Sequence, residues 1–387
     1  MTPEVVTDAL PGSASVSAAQ IDGDRRDLRL DACRGLALWF IFVDHIPDNA
    51  LAWLTLRNYG FSDTSEVFVF VSGYTCMLAY GGALREQGWL TTAVRALRRG
   101  WEIYAAFLVL LIAYFALVWI IGGDRYLDET NTAVFFHYPG ATIVRVLALQ
   151  FAPVNTDILL TFAILHLTFP ALLWLMTHTA TATLGLSFLL YLMVQIFDWH
   201  VPAWPRGELY FNPFAWQFLF VIGAWYAYEG TAKLRPVLKS RMLLILAIVY
   251  LLFSLVVALS WQFKALEGLI PAAVTNSIYP IYKSHLAPVR LLHFLSLALV
   301  VSRLAPPEWH GPVRPLMVAT IRCGENSLSI YCLGVLLSLV AHVILVGFSA
   351  GFAMQLAVSI AGIAVMVLAA TLLTWESRFD RRGPKLF

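Results

Sequence analysis

Long apolar stretches recur along the whole chain and restrict it to one fold class. A helix needs about 20 mostly apolar residues to cross a bilayer core about 30 Å thick. Ten stretches have this character: 34–53, 62–82, 100–122, 157–177, 180–198, 213–229, 242–263, 286–304, 324–347 and 351–374. Charged residues make up 13% of the chain, about half the share in soluble domains. The sequence therefore predicts an all-α polytopic membrane protein with about ten transmembrane helices.

The distribution of Lys and Arg predicts how these helices are oriented. With a cytoplasmic N-terminus and alternating spans, 18 of the 26 Lys and Arg residues lie in cytoplasmic segments and 7 in outward ones. Cytoplasmic loops of membrane proteins carry such an excess. We therefore predict that both termini are cytoplasmic. We also predict that residues 1–27 form a disordered cytoplasmic tail without a signal peptide, residues 28–376 the ten-helix transmembrane domain and residues 377–387 a basic cytoplasmic tail.

Cysteine spacing and net charge argue against several kinds of partner. Cys33, Cys76, Cys323 and Cys332 form no CxxC pair and no Cys/His pattern typical of a metal site. We therefore predict packing cysteines and no bound metal. A net charge of +2 predicts no nucleic-acid partner, because nucleic acids attract strongly basic surfaces.

The first apolar stretch carries three ionisable side chains that are costly in a bilayer core. In RGLALWFIFVDHIP, residues 34–47, they are Arg34, Asp44 and His45. At about 100° and 1.5 Å per residue, Arg34 and His45 share one helix face and lie about 16 Å apart along the axis. Ionisable residues inside membrane helices usually mark function, so this polar stripe is a candidate site. A buried ion-pair cluster that fixes helix packing is the alternative.

Further ionisable residues are predicted near the two ends of this stripe. Glu66 begins the second apolar stretch at the depth of Asp44 and His45, where a carboxylate can tune a histidine base. Arg98 and Arg99 stand at the cytoplasmic entry of the third stretch, and Arg side chains bind phosphate groups bidentately. Simple anchoring by positive charge is the alternative for the two arginines.

Aromatic side chains are concentrated in the predicted outward loop 199–216. Trp199, Trp204, Tyr210 and Trp216 stand there among charged and amide side chains. Such a surface suits sugar rings, which have apolar faces and hydroxyl edges, so these four residues are candidate substrate-binding residues. The aromatic belt found at membrane interfaces is the alternative.

Isolated polar residues in the later stretches are predicted to serve packing rather than chemistry. They are Asp157, His166, Gln217, Asn326 and His342. Polar side chains in membrane helices commonly cap a helix or form hydrogen bonds between helices.

Four motifs resemble blocks of the OpgC family. RDLRLDACRGLALWFIFVDHIPDNAL and GFSDTSEVFVFVSGYTCMLAYG are similar to its N-terminal signature, and FNPFAWQFLFVIGAWYA and GENSLSIYCLGVLLSLVAH to later blocks. The resemblance extends from about residue 25 to 376. It implies membership of the acyltransferase-3 superfamily of ten-span membrane enzymes. It also implies an O-succinyltransferase that modifies osmoregulated periplasmic glucans with succinyl-CoA as acyl donor.

The resemblance also implies roles for single residues. The first span of the superfamily carries an Arg, ten residues and a His, a spacing that Arg34 and His45 match. It implies that His45 is the catalytic residue and that Arg34 supports the donor. Arg98 or Arg99 matches an Arg near the start of the third span of the superfamily.

These observations predict acyl transfer through the bacterial inner membrane. His45, oriented by Asp44 or Glu66, removes a proton from the hydroxyl of a periplasmic glucan while CoA stays in the cytoplasm. A covalent acyl-histidine intermediate is left open. The lipid bilayer and the glucan are the predicted partners, and a homodimer is left open.

Two further predictions concern the acyl group and the class of protein. Lys264, Lys283 or Arg290 is a candidate to hold the succinyl carboxylate. The rival function is a proton-coupled transporter or a flippase of a sugar-linked substrate, with the histidine and carboxylates as a proton relay. The chain lacks the internal repeat of many transporters, which favours the enzyme.

Overall fold

The computed structural model describes residues 28–122, 124–268, 270–304 and 315–382. The predicted tail 1–27 and residues 383–387 of the predicted basic tail lie outside these ranges. In the described ranges the regular structure is helical, without strands and with one isolated β-bridge between Pro202 and Glu208. The α-helices are α1 Leu28–Asp44, α2 Thr64–Ile121, α3 Asp124–Glu129, α4 Ala133–His137, α5 Pro139–Leu147, α6 Asp157–Leu167, α7 Phe169–Phe197, α8 Pro213–Trp225, α9 Thr231–Leu238, α10 Arg241–Gln262, α11 Lys264–Glu267, α12 Ala272–Ile278, α13 Pro288–Leu304, α14 Pro315–Glu325, α15 Ser327–Gly347 and α16 Phe352–Arg382.

Several of these helices have the length and composition of membrane spans. Five helical segments of the described chain qualify: Thr64–Ile121, Asp157–Phe197, Arg241–Gln262, Ser327–Gly347 and Phe352–Ser377. The structure confirms the prediction of a helical protein with apolar helices long enough to cross a membrane. The count of ten spans stays a prediction.

Two of the five segments are longer than one crossing and are interrupted inside. α2 has 58 residues, or about 87 Å of helix, against a bilayer core of about 30 Å. Gly88, with a φ of 77°, interrupts α2 between the predicted spans 62–82 and 100–122. Thr179, with φ −147° and ψ 66°, interrupts α7 in the same way before the predicted span 180–198.

Three predicted spans correspond to shorter helices. α1 and α13 have 17 residues each, and α8 has 13 before it continues through a π-helical turn, Tyr226–Gly230, into α9. α1 ends at Asp44, well before residue 53, because Pro47 cannot donate a backbone N–H and Asp48 has a left-handed φ of 55°. The chain then forms two short 3-10 helices, Ala50–Leu54 and Leu56–Asn58.

Glycines let α1 and α14 approach at backbone distance. A Cβ atom on Gly35 would lie 1.8 Å from the carbonyl oxygen of Thr320, and one on Gly324 would lie 1.9 Å from that of Asp31. Small residues permit this close packing in membrane helices. Because Gly35 directly follows Arg34, the contact fixes the backbone at the start of the polar stripe.

The same reciprocal contact joins α2 and α8. A Cβ atom on Gly73 would lie 1.9 Å from the carbonyl oxygen of Phe220, and one on Gly223 would lie 2.2 Å from that of Phe70. No side chain larger than hydrogen fits at either glycine without moving a helix. This contact sets the position of the first half of α2, which carries Glu66.

Hydrogen bonds between helices confirm the predicted packing role of two polar residues. Asn326 occupies the N-cap position of α15 but makes no cap bond with its side chain. Its Nδ2 atom instead donates to Thr374 Oγ1 of α16 at 2.9 Å. Gln217 of α8 donates to the carbonyl oxygen of Ser187 in α7 at 2.9 Å and accepts from its hydroxyl at 2.6 Å.

Candidate active site

A cavity of about 630 Å³ lies where α1 ends and α2 begins. We call it the His45 cavity. It is bordered by both polar residues at the end of α1 and by charged residues from several other segments. The ionisable residues on its border, apart from tyrosines, are Asp44, His45, Arg57, Asp63, Asp157, Lys283 and Arg290. Such convergence of charged groups on one enclosed space is typical of a functional site.

His45 keeps the helical phase that the sequence predicts. It follows α1 directly, and its backbone N–H donates to the carbonyl oxygen of Ile41 at 3.0 Å. Its Nδ1 atom is buried and has no hydrogen-bond partner among the described residues. The neighbouring Asp44 instead accepts from Thr55 Oγ1 through its Oδ1 atom, at 2.7 Å. His45 thus borders the cavity while its buried Nδ1 atom is left without a partner among the described residues.

Glu66 belongs to a buried ion-pair cluster and is not seen to orient His45. Its Oε1 atom accepts from Arg290 Nε at 2.8 Å, and its Oε2 atom accepts from the backbone N–H of Asp63 at 2.9 Å. Asp63 caps α2, so Glu66 is the reciprocal member of a capping box. Lys283 donates to Asp63 Oδ2 at 2.6 Å and Arg290 at 3.1 Å. Both oxygens of Glu66 are thus engaged by Arg290 and the helix start.

A second cavity, of about 290 Å³, is bordered by Arg34 and Arg99. We call it the Arg34 cavity. Arg34 is ion-paired with Asp31 of the preceding turn, while its Nε atom is buried without a partner among the described residues. Arg99 pairs with Glu102 at 3.0 Å. Arg98 does not border this cavity, and its side chain is 81% exposed, because neighbouring helical residues point about 100° apart.

The two cavities share a partition made by Ile158 and Tyr331, which border both of them. Both side chains are buried. The hydroxyl of Tyr331 donates to the carbonyl oxygen of Asn155 at 2.6 Å, which fixes the ring. Arg34 therefore borders one of two neighbouring cavities and His45 borders the other.

Trp216 is not available to a substrate, which corrects the prediction for this residue. Its side chain is 0% exposed. Its Nε1 atom donates to the carbonyl oxygens of Lys283 and Ser284, each at 3.1 Å. A tryptophan with a buried ring and a satisfied N–H serves packing, here by holding the segment that carries Lys283.

The other three predicted aromatic residues lie in different surroundings. Tyr210 borders the His45 cavity and is half exposed. Trp199 is half exposed but does not border either cavity. Trp204 lies under the guanidinium of Arg145, at 5.3 Å from the ring centroid. Tyr210 is thus the member of this set that the structure brings to the histidine.

Sequence reasoning missed part of the charged border of the His45 cavity. Arg57 was not singled out because it lies in a loop outside every helical pattern. Asp63 carried a usable signal, since Asp followed three residues later by Glu before an apolar run predicts a capped helix start. Asp157 and His166, predicted to serve packing, border the His45 cavity and the Arg34 cavity respectively.

The family comparison covers both cavities. The sequence model of the OpgC protein family matches residues 26–378. This chain belongs to the OpgC family. The match contains every residue that borders either cavity of this OpgC-family protein. No curated protein and no solved structure matches the chain in the corresponding comparisons.

Proposed function

We propose that this chain is an O-acyltransferase of the bacterial inner membrane. It moves a succinyl group from cytoplasmic succinyl-CoA to hydroxyl groups of periplasmic glucans. The OpgC family supports a glucan succinyltransferase-like role. The observation that carries the mechanism is the pair of cavities that meet at Ile158 and Tyr331. The proposal includes ten spans, cytoplasmic termini and placement in the acyltransferase-3 superfamily.

The Arg34 cavity is the proposed donor site. Arg34 and Arg99 bind the phosphate groups of CoA, because guanidinium groups match phosphate oxygens in geometry and charge. The unpartnered Nε atom of Arg34 supports this role. The pantetheine arm of CoA extends about 16–20 Å, judged from the reach of an extended chain. The axial distance from Arg34 to His45 is about 16 Å, so the thioester reaches the histidine while CoA stays on the cytoplasmic side.

The His45 cavity is the proposed site of chemistry. His45 accepts the proton of a glucan hydroxyl as general base. The oxygen forms a bond to the thioester carbonyl carbon, and the carbon–sulfur bond breaks. The imidazolium then returns its proton to the CoA thiolate that leaves. Lys283 borders the cavity and has N–H groups besides the one that it donates to Asp63, and these stabilise the oxyanion that forms during transfer.

Arg57 is the proposed partner of the succinyl carboxylate. Lys264 does not border the cavity, and Lys283 and Arg290 are both ion-paired with Asp63. Arg57 borders the cavity, donates to a main-chain carbonyl oxygen at 3.3 Å and forms no ion pair with a described residue. Its remaining N–H groups suit a carboxylate, which accepts two parallel hydrogen bonds from a guanidinium.

Transfer of labelled succinyl from succinyl-CoA to linear glucan by the purified protein tests the proposal. The wild type and His178→Gln are expected to label the glucan at equal rates. His178 is a matched control because it lies exposed on α7 and borders neither cavity. His45→Gln is expected to lose transfer by at least about 100-fold, the usual scale of general-base catalysis.

The same proteins in liposomes separate the enzyme from a transporter. A proton-coupled transporter would carry protons across the bilayer when glucan is added, without any acyl donor. Labelling of glucan by His45→Gln at the wild-type rate would overturn the catalytic assignment. Proton flux in the wild type with no label transfer would overturn the enzyme altogether.

A further inference from the structure

Four side chains of metal-ligand type meet at the end of α7, apart from both cavities. Asp198, His200 and Glu208 lie in the loop after α7, with their ligand atoms within 4.8 Å of one another. His285 joins them from the segment before α13, with its Nε2 atom 3.0 Å from Glu208 Oε2 and 3.5 Å from Asp198 Oδ1. We call these four residues the His–carboxylate cluster. None of them borders the His45 or the Arg34 cavity.

The spacing of the cluster matches a tetrahedral metal site. Zinc binds His nitrogen and carboxylate oxygen at about 2.0–2.2 Å, so its ligand atoms stand about 3.3–3.6 Å apart in a tetrahedron. Besides the two distances of His285, His200 Nδ1 lies 3.8 Å from Glu208 Oε2 and 4.0 Å from Asp198 Oδ2. These four distances lie near the tetrahedral edge. His285 contacts Glu208 and Asp198 but is not among the three residues whose ligand atoms all lie within 4.8 Å of one another, so its ring must turn toward His200 for all four to share one ion.

The structure also holds the two segments of the cluster in place. The loop after α7 folds back on itself through backbone hydrogen bonds from Leu209 to Val201 at 3.0 Å and from Ala203 to Gly207 at 2.9 Å. This brings His200 beside Glu208. On the other side, Gln195 Nε2 donates to the carbonyl oxygen of His285 at 2.7 Å. Ligands carried by such supported segments are arranged before a metal binds.

We propose that the His–carboxylate cluster binds one divalent zinc ion and joins the loop after α7 to the segment before α13. Two imidazoles with two carboxylates suit zinc, whereas Mg²⁺ and Ca²⁺ prefer oxygen ligands throughout. Coordination through His200 Nδ1 replaces the hydrogen bond that this nitrogen forms with the carbonyl oxygen of Asp198 at 2.7 Å. His285 exchanges its contact with Glu208 for the metal.

The site would position a residue of the His45 cavity. His285 lies two residues after Lys283, whose amine borders that cavity and pairs with Asp63. A metal that fixes His285 also fixes this part of the cavity border. The site is structural, because its ion lies outside the space where a donor or a glucan would react.

Metal titration of the full-length protein tests the site. The protein is purified without a histidine tag, stripped with EDTA and transferred to metal-free buffer before ZnCl₂, MgCl₂ or CaCl₂ is added. We expect the wild type to retain about one zinc ion per chain after gel filtration and its unfolding midpoint to rise with zinc only, since a ligand of the folded state stabilises it. His200→Ala with His285→Ala is expected to lose both effects.

Two further variants test whether a loss of zinc binding is specific to the His–carboxylate cluster. His178→Ala removes an exposed histidine elsewhere on α7 and is expected to bind zinc like the wild type. Glu208→Gln keeps the size of the side chain and removes one ligand charge, and should weaken zinc binding by at least about tenfold. This variant decides the outcome if the double variant does not fold. A wild type that retains no zinc, or a Glu208→Gln variant that retains it with unchanged affinity, overturns the site.

Discussion

Arg34 and His45 each hold a buried nitrogen without a hydrogen-bond partner among the described residues, and the two residues border different cavities. Buried polar atoms are nearly always satisfied in folded proteins. An unsatisfied buried atom in a side chain that borders a cavity is therefore a candidate contact for a ligand once the side chain turns toward the cavity. Arg34 lies in the second turn of α1 and His45 directly follows its last residue, so one helix connects the donor end and the acceptor end of the proposed reaction.

The first prediction concerns the arginines. Arg99→Gln is expected to weaken CoA binding by about 10- to 100-fold, since a charge-assisted hydrogen bond contributes about 1.5–3 kcal/mol. Arg98→Gln is the matched control, because its side chain is exposed and borders neither cavity. Calorimetric titration of CoA into the purified variants measures the difference. Equal weakening in both variants would indicate a diffuse electrostatic effect rather than a site.

Arg34 needs a separate design because its guanidinium neutralises the buried Asp31. Removing one partner of a buried ion pair destabilises a protein by about 3–5 kcal/mol, which would confuse binding with folding. Arg34→Lys keeps the charge but loses the planar pair of donors. We expect this variant to fold, to bind CoA more weakly and to transfer succinyl more slowly. Unchanged CoA affinity in Arg34→Lys argues against bidentate phosphate binding at this residue.

The partition gives a second prediction. Ile158→Phe enlarges a side chain that borders both cavities and is expected to slow acyl transfer by about tenfold or more while CoA affinity stays within about twofold. A displacement of about 1 Å in a reacting group can cost about 100-fold in rate. Ile164→Phe on the same helix borders neither cavity and serves as control. CoA binding and label transfer are measured on the same variants. Slower transfer with unchanged CoA affinity would mean that the substitution hinders passage of the acyl group and not binding of the donor.

Donor selectivity gives a third prediction. Arg57→Gln is expected to reduce kcat/KM for succinyl-CoA by about 10- to 100-fold, the value of one charge-assisted contact. Transfer from acetyl-CoA, which has no terminal carboxylate, should be unchanged. Competition between the two donors measures the ratio directly. If both donors lose activity equally, Arg57 supports the site in some other way.

Helix packing gives a fourth prediction. Gly73→Ala places a methyl group against the carbonyl oxygen of Phe220 and should destabilise the protein by about 1–3 kcal/mol, the usual cost of overpacking. Gly82→Ala lies on the same helix with open space around its Cβ position and should be neutral or slightly stabilising. Thermal unfolding in detergent compares them. Equal midpoints would mean that α2 and α8 adjust without strain.

The sequence could predict the helices and the polar stripe because both follow from local periodicity. Apolar length indicates a membrane helix, and the 3.6-residue repeat places Arg34 and His45 on one face. The same reasoning could not tell that Glu66 turns to the start of its own helix and to Arg290. It also could not tell that Trp216 is buried, since loop aromatics look alike in sequence. Both outcomes depend on contacts between residues far apart in the chain.

The partition of Ile158 and Tyr331 also bears on permeability. A passage open from one membrane face to the other would let protons and small ions leak, and would drain the electrochemical gradient across the membrane. Two separate cavities that share the buried side chains of Ile158 and Tyr331 on their borders do not form such a passage in this structure. In the proposed reaction, the pantetheine arm with its acyl group passes between the cavities when the side chain of Ile158 moves aside. The proposed transfer between two compartments would then not require a pore.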